Sequence, residues 1–408
     1  MKKQLPERET QETTLLPEYG RKRLLTYADS FMRLAKSFYG MENGQAQEED
    51  GIKTSRETYL WQKRLMENRE MLADHLCEMS RIMTGIAQES YHMRPMGDRT
   101  RYHIAKELKK RGIRLHRLFS MTNENGKLEV AASMRARLPE LGEEEYTVAD
   151  IAGLLSVYLG VRLNPAAGST SLLSDELTTV VFEEETRYHI LTGVARVAKE
   201  GEQISGDNYT FCEMEQGRFA AVLADGMGSG ETACRASELV VELFEQFLES
   251  GFSANGAAQM INGALLASAQ ETDVSTLDVC CVNRYTGTCR LMKAGASGTY
   301  IKRDNRIEKV DAAGLPLGVF GQLEATEMRC ELMHGEYLIM LSDGVSDCFT
   351  RPGAEALFED MLARIEVREP GEMANAILRQ AIYQSEGRIA DDMTVLVIGL
   401  WENGDAAC

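Results

Sequence analysis

Along the C-terminal half of the chain, short apolar runs alternate with turn residues. Runs at 219–224, 278–285, 289–293, 299–303, 328–332, 337–341 and 393–400 are bounded by Gly, Asn, Asp or charged residues, which is the pattern of strands. A further run at 188–197 opens this region, and Thr286-Gly287 and Asp304-Asn305 supply hairpin turns. Helical spacing fits 231–250, 254–270 and 361–384. Consecutive hairpins with separate helices predict an α+β fold, two antiparallel β-sheets with helices outside.

The N-terminal half reads differently. Residues 1–52 are polar and charged, a leader expected to be partly disordered apart from a helix over 24–39. From 57 to 89, Leu72, Leu76, Met79, Met83 and Ile86 step by four, three, four and three, and Leu65 extends the seam backwards. Such a narrow stripe suits either an amphipathic helix packed on its own domain or a helix that pairs with a second copy. Next come a helix over 99–110 ended by Gly112, strands at 113–119 and 128–136 joined by Asn123-Glu124-Asn125-Gly126, and a helix over 147–159 capped by Thr147 or Asp150. A strand beginning at 180–182 completes a small α+β module. Its arginines (Arg111, Arg114, Arg117, Arg135, Arg137) read as solvated strand faces. The expected organisation is a leader 1–52, a long helix 53–92, the α+β module 93–185 and a C-terminal domain 186–402.

Composition narrows the function classes. The chain has 408 residues, 44% hydrophobic and 26% charged, ordinary for a globular protein long enough for two or three domains. A net charge of −18 leaves no basic excess for nucleic acid. Nine cysteines without a C-x-x-C pair argue against a disulfide framework or a structural zinc site and for a reducing cytoplasm. The first residues carry no apolar h-region, and no stretch approaches the roughly 20 apolar residues needed to span a bilayer.

Four aspartate motifs carry the chemistry: Ser205-Gly206-Asp207, Asp225-Gly226-Met227-Gly228-Ser229-Gly230, Ser342-Asp343-Gly344 and Asp391-Asp392-Met393-Thr394. Three of them abut a strand-like run, and strand ends are where a sheet delivers carboxylates from distant parts of a chain to one point. Acidic oxygens meeting there repel one another unless a hard divalent cation lies between them. Two such ions about 4 Å apart activate a water and neutralise a phosphoryl group together. No G-x-x-x-x-G-K follows the glycine loop, which removes the nucleotide-loop reading. The six histidines form no metal-ligand pair, and His189 and His334 read as structural.

The ordered set resembles the metal-dependent protein phosphatase family (PPM, protein phosphatase 2C-like), and within it the bacterial stage II sporulation protein E branch. It includes Thr276-Leu277-Asp278, Lys293-Ala294-Gly295-Ala296-Ser297, Tyr300-Ile301-Lys302-Arg303 and Leu315-Pro316-Leu317-Gly318. The resemblance implies a PPM-type sandwich of two antiparallel β-sheets flanked by helices, preceded by a helical linker and a small regulatory domain. It implies two Mn2+ or Mg2+ ions, with Asp225 bridging both, Gly226 offering its carbonyl, Asp343 and Asp391 as further ligands and Asp207 acting through a water. Asp392 is ambiguous, because relatives often carry Asn there, and Asp278 receives no role. The string Gly295-Ala296-Ser297 lacks the aspartate that helps bind a third metal in eukaryotic relatives. A phosphate-contacting arginine has no clear counterpart; Arg196 and Lys199 are candidates by position. The implied activity is serine/threonine phosphatase action on a phosphoserine STAS-type anti-anti-sigma protein in a sporulation or stress sigma-factor pathway. A small-molecule phosphatase and a catalytically silent scaffold are the alternatives. A homodimer through residues 60–90, regulation by the upstream module, and a cytoplasmic location with association to the septum or membrane through partners complete the expectations.

Overall fold

The computed structural model describes residues 22–36, 71–88, 93–123, 125–137, 146–228, 230–267, 274–311, 314–320, 323, 325–350 and 353–404. The leader up to residue 21, the part of the long helix before residue 71 with Leu65, and Glu124 and Ser229 lie outside them. The chain divides into two compact units, the first built on 76–185 and the second on 186–214 and 218–404; residues 22–36 and the turn 215–217 group with the first and 71–75 with the second.

In the first unit, helix α1 (22–36) meets α2 (71–88) where Ser80 Oγ donates to the Ala28 carbonyl at 2.8 Å. A five-stranded sheet follows, in the order β1-β2-β3-β5-β4, from β1 (Arg94–Pro95), β2 (Ile113–Thr122), β3 (Leu128–Ala136), β4 (Leu163–Pro165) and β5 (Thr178–Glu184). One face is covered by α3 (Asp98–Lys110) and α4 (Val148–Leu159), and Ile104, Leu108, Leu118, Val130, Leu155 and Phe182 form the core between them. Thr147 and Asp150 start α4 together. The Thr147 hydroxyl accepts from the Asp150 N–H and the Asp150 carboxylate accepts from the Thr147 N–H, a reciprocal cap that satisfies two backbone donors. Gly160, at φ 73°, ends the helix in a conformation that side chains resist.

The second unit has two five-stranded sheets, every neighbouring pair antiparallel. One runs β13-β10-β9-β8-β7, from β7 (Asp207–Met214), β8 (Arg218–Asp225), β9 (Leu277–Asn283), β10 (Thr288–Ala294) and β13 (Thr326–Glu331). The other runs β12-β11-β14-β15-β6, from β6 (Tyr188–Val197), β11 (Thr299–Arg303), β12 (Arg306–Val310), β14 (Tyr337–Leu341) and β15 (Met393–Glu402). The sheets bury one face each against the other, with Phe219, Ala221, Leu223, Leu291, Leu338, Met340, Leu396 and Ile398 in that layer. The opposite face of the first sheet packs on α5 (Gly230–Glu249) and α6 (Ala254–Ala267), and that of the second on α8 (Ala354–Arg364) and α9 (Pro370–Gln384).

This four-layer arrangement explains why β8 reads as an unbroken apolar run. Phe219, Ala221 and Leu223 face the other sheet while Ala220, Val222 and Ala224 face the helices, so no position is left for water. It is the α+β class that the alternation of hairpins and helices predicts. One helix differs from expectation: 361–384 is not continuous. Pro370 has no N–H to donate and favours the first turn of a helix, so α8 ends at Arg364 and α9 starts afresh behind Glu369, whose carboxylate accepts from the Gly371 and Glu372 N–H groups. Among the described residues, no helix is long and apolar enough to cross a membrane.

Candidate active site

Asp207 begins β7 and Asp225 ends β8, and the two are register partners across the ladder. The chain leaves β8 under close constraint. The Asp225 N–H donates to Thr276 Oγ1 at 3.1 Å, and its carbonyl accepts from the Thr276 N–H at 2.8 Å and Ser275 Oγ at 3.0 Å. Gly226 then passes against α5 so tightly that a Cβ there would lie 2.0 Å from the Ala233 carbonyl oxygen. From the other sheet, β14 runs into Ser342 and the short helix α7 (Asp343–Ser346), while Asp391 and Asp392 precede β15. Ser342 ties these ends together: its N–H donates to the Thr394 carbonyl at 3.0 Å, and its Oγ accepts from the Thr394 N–H at 2.8 Å. Gly344 sits where a Cβ would be 2.2 Å from the Asp392 carbonyl oxygen.

Two sheets thereby bring four carboxylates into mutual range. Burial pushes Asp225 up to about 9, and the charges of Asp207, Asp343 and Asp391 push the same way. Asp207 is almost inaccessible, and burial raises it to about 6, with Asp392 and Asp343 adding to the shift. The Ser342 and Thr394 hydroxyls stand near Asp207 and draw it back, yet among the described residues neither of its buried carboxylate oxygens has a partner at hydrogen-bond geometry. Asp343 is likewise raised, by burial first and then by Asp391 and Asp347. As the side chains stand, no three His, Cys, Asp or Glu groups among the described residues already close on a single coordination point.

Asp391 and Asp392 part company. Asp392 is buried, and its oxygens accept the backbone N–H groups of Lys199 at 2.9 Å and Gly206 at 2.8 Å, tying the ends of β6 and β7 to the start of β15. Asp391 keeps 47% of its side chain exposed, with Lys199 Nζ 3.6 Å away. Arg196 pairs with Thr394 in the β6–β15 register and is exposed, making no ion pair or side-chain hydrogen bond among the described residues.

Asp207, Asp225, Asp343, Asp391, Gly226 and Lys199 thus meet in one region, with Arg196 on the strand that borders it. Other contributors escaped the sequence reading. Gly206 holds Asp392 by its N–H, while its carbonyl accepts from the Gly226 N–H at 3.2 Å and from Ser237 Oγ on α5. Ser237 Oγ in turn accepts from Asn208 Nδ2 at 2.9 Å. The available signal was a serine within the apolar stripe Ala233, Ala236, Val240. Asp278 also gains a partner: it is buried against Lys293, its register neighbour on β10, and accepts from Thr299 Oγ1 at 2.9 Å. It therefore serves the sheet.

Residues 215–401 match the family model described as Stage II sporulation protein E (SpoIIE). Over 379 residues the chain is 28% identical to Stage II sporulation protein E of Bacillus subtilis (strain 168), covering 91% of this chain and 45% of that protein. It is 22% identical over 216 residues to Phosphoserine phosphatase RsbU of the same organism, covering 50% of this chain and 62% of that one. The chain spans about half the length of the curated relatives it matches. The solved structure of the PP2C phosphatase domain and a fragment of the regulatory domain of SpoIIE from Bacillus subtilis aligns with a TM-score of 0.56 at 26% identity, covering 84% of this chain and 98% of that chain. The two-sheet unit has the PP2C phosphatase fold, and residues 215–401 are similar to the Stage II sporulation protein E family.

Proposed function

We propose that this chain is a metal-dependent serine/threonine protein phosphatase acting on a phosphoserine STAS-type anti-anti-sigma protein. The observation that carries the reading is a pair of buried carboxylates with no ion pair among the described residues: Asp207, whose two oxygens are buried without a partner at hydrogen-bond geometry, and Asp225, pushed up to about 9 by burial and three neighbouring acids. Such a donor set, all hard oxygen, fits divalent magnesium or manganese. Asp225, Asp343 and Asp391 with the Gly226 carbonyl would hold two ions, and Asp207 would act one water further out. Ions held there supply a water of lowered pKa as nucleophile and neutralise phosphoryl oxygens.

The chain's own groups set the geometry. Asp392 fixes the loops that carry Lys199 and Gly206, and Ser237 and Thr276 fix the two sides of the Asp225-Gly226 turn. Arg196 and Lys199 would be the cations that receive a phosphate. The description of the relative RsbU as a phosphoserine phosphatase supports phosphoserine as the substrate group. The STAS partner and a sporulation or stress sigma-factor setting rest on the family resemblance.

The test is phosphate release from a phosphorylated STAS-domain protein, set beside p-nitrophenyl phosphate, with Mn2+ and with chelator. Chelator-sensitive turnover that strongly favours the phosphoprotein supports the proposal. Preference for the small ester points to a small-molecule phosphatase, and silence towards both points to a scaffold.

A further inference from the structure

Alternation along β2 and β3 sends Ile113, Leu115, Leu118, Val130, Ala132 and Met134 into the core beneath α3 and α4. The residues between them stand on the other face of the sheet. There Arg114 and Arg135 are register partners across the β2–β3 ladder, and Arg117 is paired with Ser133, one step along the same face. His116 is the extra residue where the register shifts between Leu115 and Arg117, and such bulges re-aim side chains. Its ring lies close to both arginines: burial, and then the charges of Arg135 and Arg114, lower its pKa. His116 Nε2 is buried with no hydrogen-bond partner among the described residues.

The three arginines are exposed, and among the described residues none has an ion pair or a side-chain hydrogen bond. The acids of this sheet face, Glu129 and Glu183, are register partners four residues along the strands from Ser133 and Thr179, and among the described residues no acid forms an ion pair with Arg114, Arg117 or Arg135. Like charges directly opposite on neighbouring strands destabilise the pair. Ser133 Oγ and Thr179 Oγ1, hydrogen-bonded to each other at 2.9 Å, add two hydroxyls beside the cations.

We propose that this face binds an acidic segment of a partner protein, whose carboxylates the Arg114, Arg117 and Arg135 guanidinium groups would engage. Guanidinium groups grip carboxylates through paired N–H donors, which suits three arginines on a rigid sheet better than a loose basic tail. The net charge of −18 sets the class of partner. A long polyanion or an anionic membrane meets the repulsion of the whole molecule, whereas a short acidic stretch feels mainly charges within a screening length of about 8 Å. All of these residues belong to the first unit.

The experiment measures fluorescence anisotropy of a labelled deca-glutamate peptide with the full chain, at low and at physiological salt. The expected result is saturable, salt-sensitive binding that weakens about tenfold or more in the triple variant Arg114→Gln, Arg117→Gln, Arg135→Gln. The triple arginine-to-lysine variant should bind more weakly than the parent chain and more tightly than the glutamine variant, because charge is kept while the paired donors are lost. Relief of like-charge repulsion should leave the Tm of the glutamine variant equal to or above that of the parent chain; a clear fall would mean that the arginines serve internal packing and would overturn the proposal. Equal binding by parent and glutamine variant, or no binding by the parent, would overturn it too. So would tighter binding of a DNA oligonucleotide or of phosphatidylglycerol vesicles than of the peptide.

Discussion

Asp391 and Asp392 are adjacent in the chain and sit in unlike surroundings. Asp392 spends both oxygens on backbone N–H groups, so Asp392→Asn would turn an NH2 towards one of them. The expected cost is about 1–3 kcal/mol, read as a lowered Tm. Asp391→Asn should leave Tm nearly unchanged and weaken Mn2+ binding measured by calorimetry, because this carboxylate is half-exposed and among the described residues bonds only the Lys199 ammonium and the Asp392 N–H. The acidic cluster also fixes a pH dependence. Burial and neighbouring acids push Asp207 up to about 6 and Asp225 up to about 9 in the folded chain, above the carboxylate value of about 4 in an unfolded one. The folded chain therefore holds protons that the unfolded chain releases, and cation-free stability should fall as pH rises from about 4 towards 9. Asp225→Asn should flatten that slope, and Mg2+ should raise Tm more at pH 8 than at pH 5; thermal melts showing the reverse slope would contradict the assignment. The aspartates themselves were legible in the sequence, since each sits in a short motif beside a strand. The tasks of Asp392 and Asp278 were not, because their partners, Lys199 and Gly206 in one case and Lys293 and Thr299 in the other, are defined only by how strands align.

At the scale of elements, buried runs announced themselves and edges did not. β8 and β14, apolar at nearly every position, could be read directly. β7 and β12 lie at the ends of their sheets, mix polar with apolar positions, and escaped notice as strands; in β7 the polar Asn208 and Thr210 bond to Ser237 and Glu245 of α5. The Asp278–Lys293 pair joins β9 to β10 inside the sheet, with both side chains 1% exposed. Asp278→Ala would strand the ammonium there, and a loss of about 3–5 kcal/mol in denaturant melts is expected. Close approach makes a sharper prediction at α7. A Cβ at Gly344 would meet the Asp392 carbonyl at 2.2 Å, forcing apart the ends of β14 and β15. Gly344→Ala should cost about 1–3 kcal/mol and depress turnover, whereas alanine at Gly335 has open space but a φ of 77°, so it should lower stability without a specific effect on turnover.

For the whole molecule, the α+β class and the two-sheet unit followed from the order of hairpins and helices, while the way the N-terminal segment is shared did not. Residues 71–75 group with the second unit, and Met71 lies so close to α6 that a Cβ on Gly263 would be 2.2 Å from its sulfur. Deleting residues 1–185 removes that contact together with the first unit, so the shortened chain is expected to differ in turnover or in oligomeric state. Unchanged activity and unchanged sedimentation would contradict a regulatory role for this region. The most direct test of the central claim is Mn2+-dependent phosphate release from a phosphorylated STAS-domain protein by the full chain and by Asp225→Ala. Turnover by the parent that chelator abolishes and the variant lacks is the predicted result; turnover that survives in Asp225→Ala, or in the presence of chelator, would contradict it.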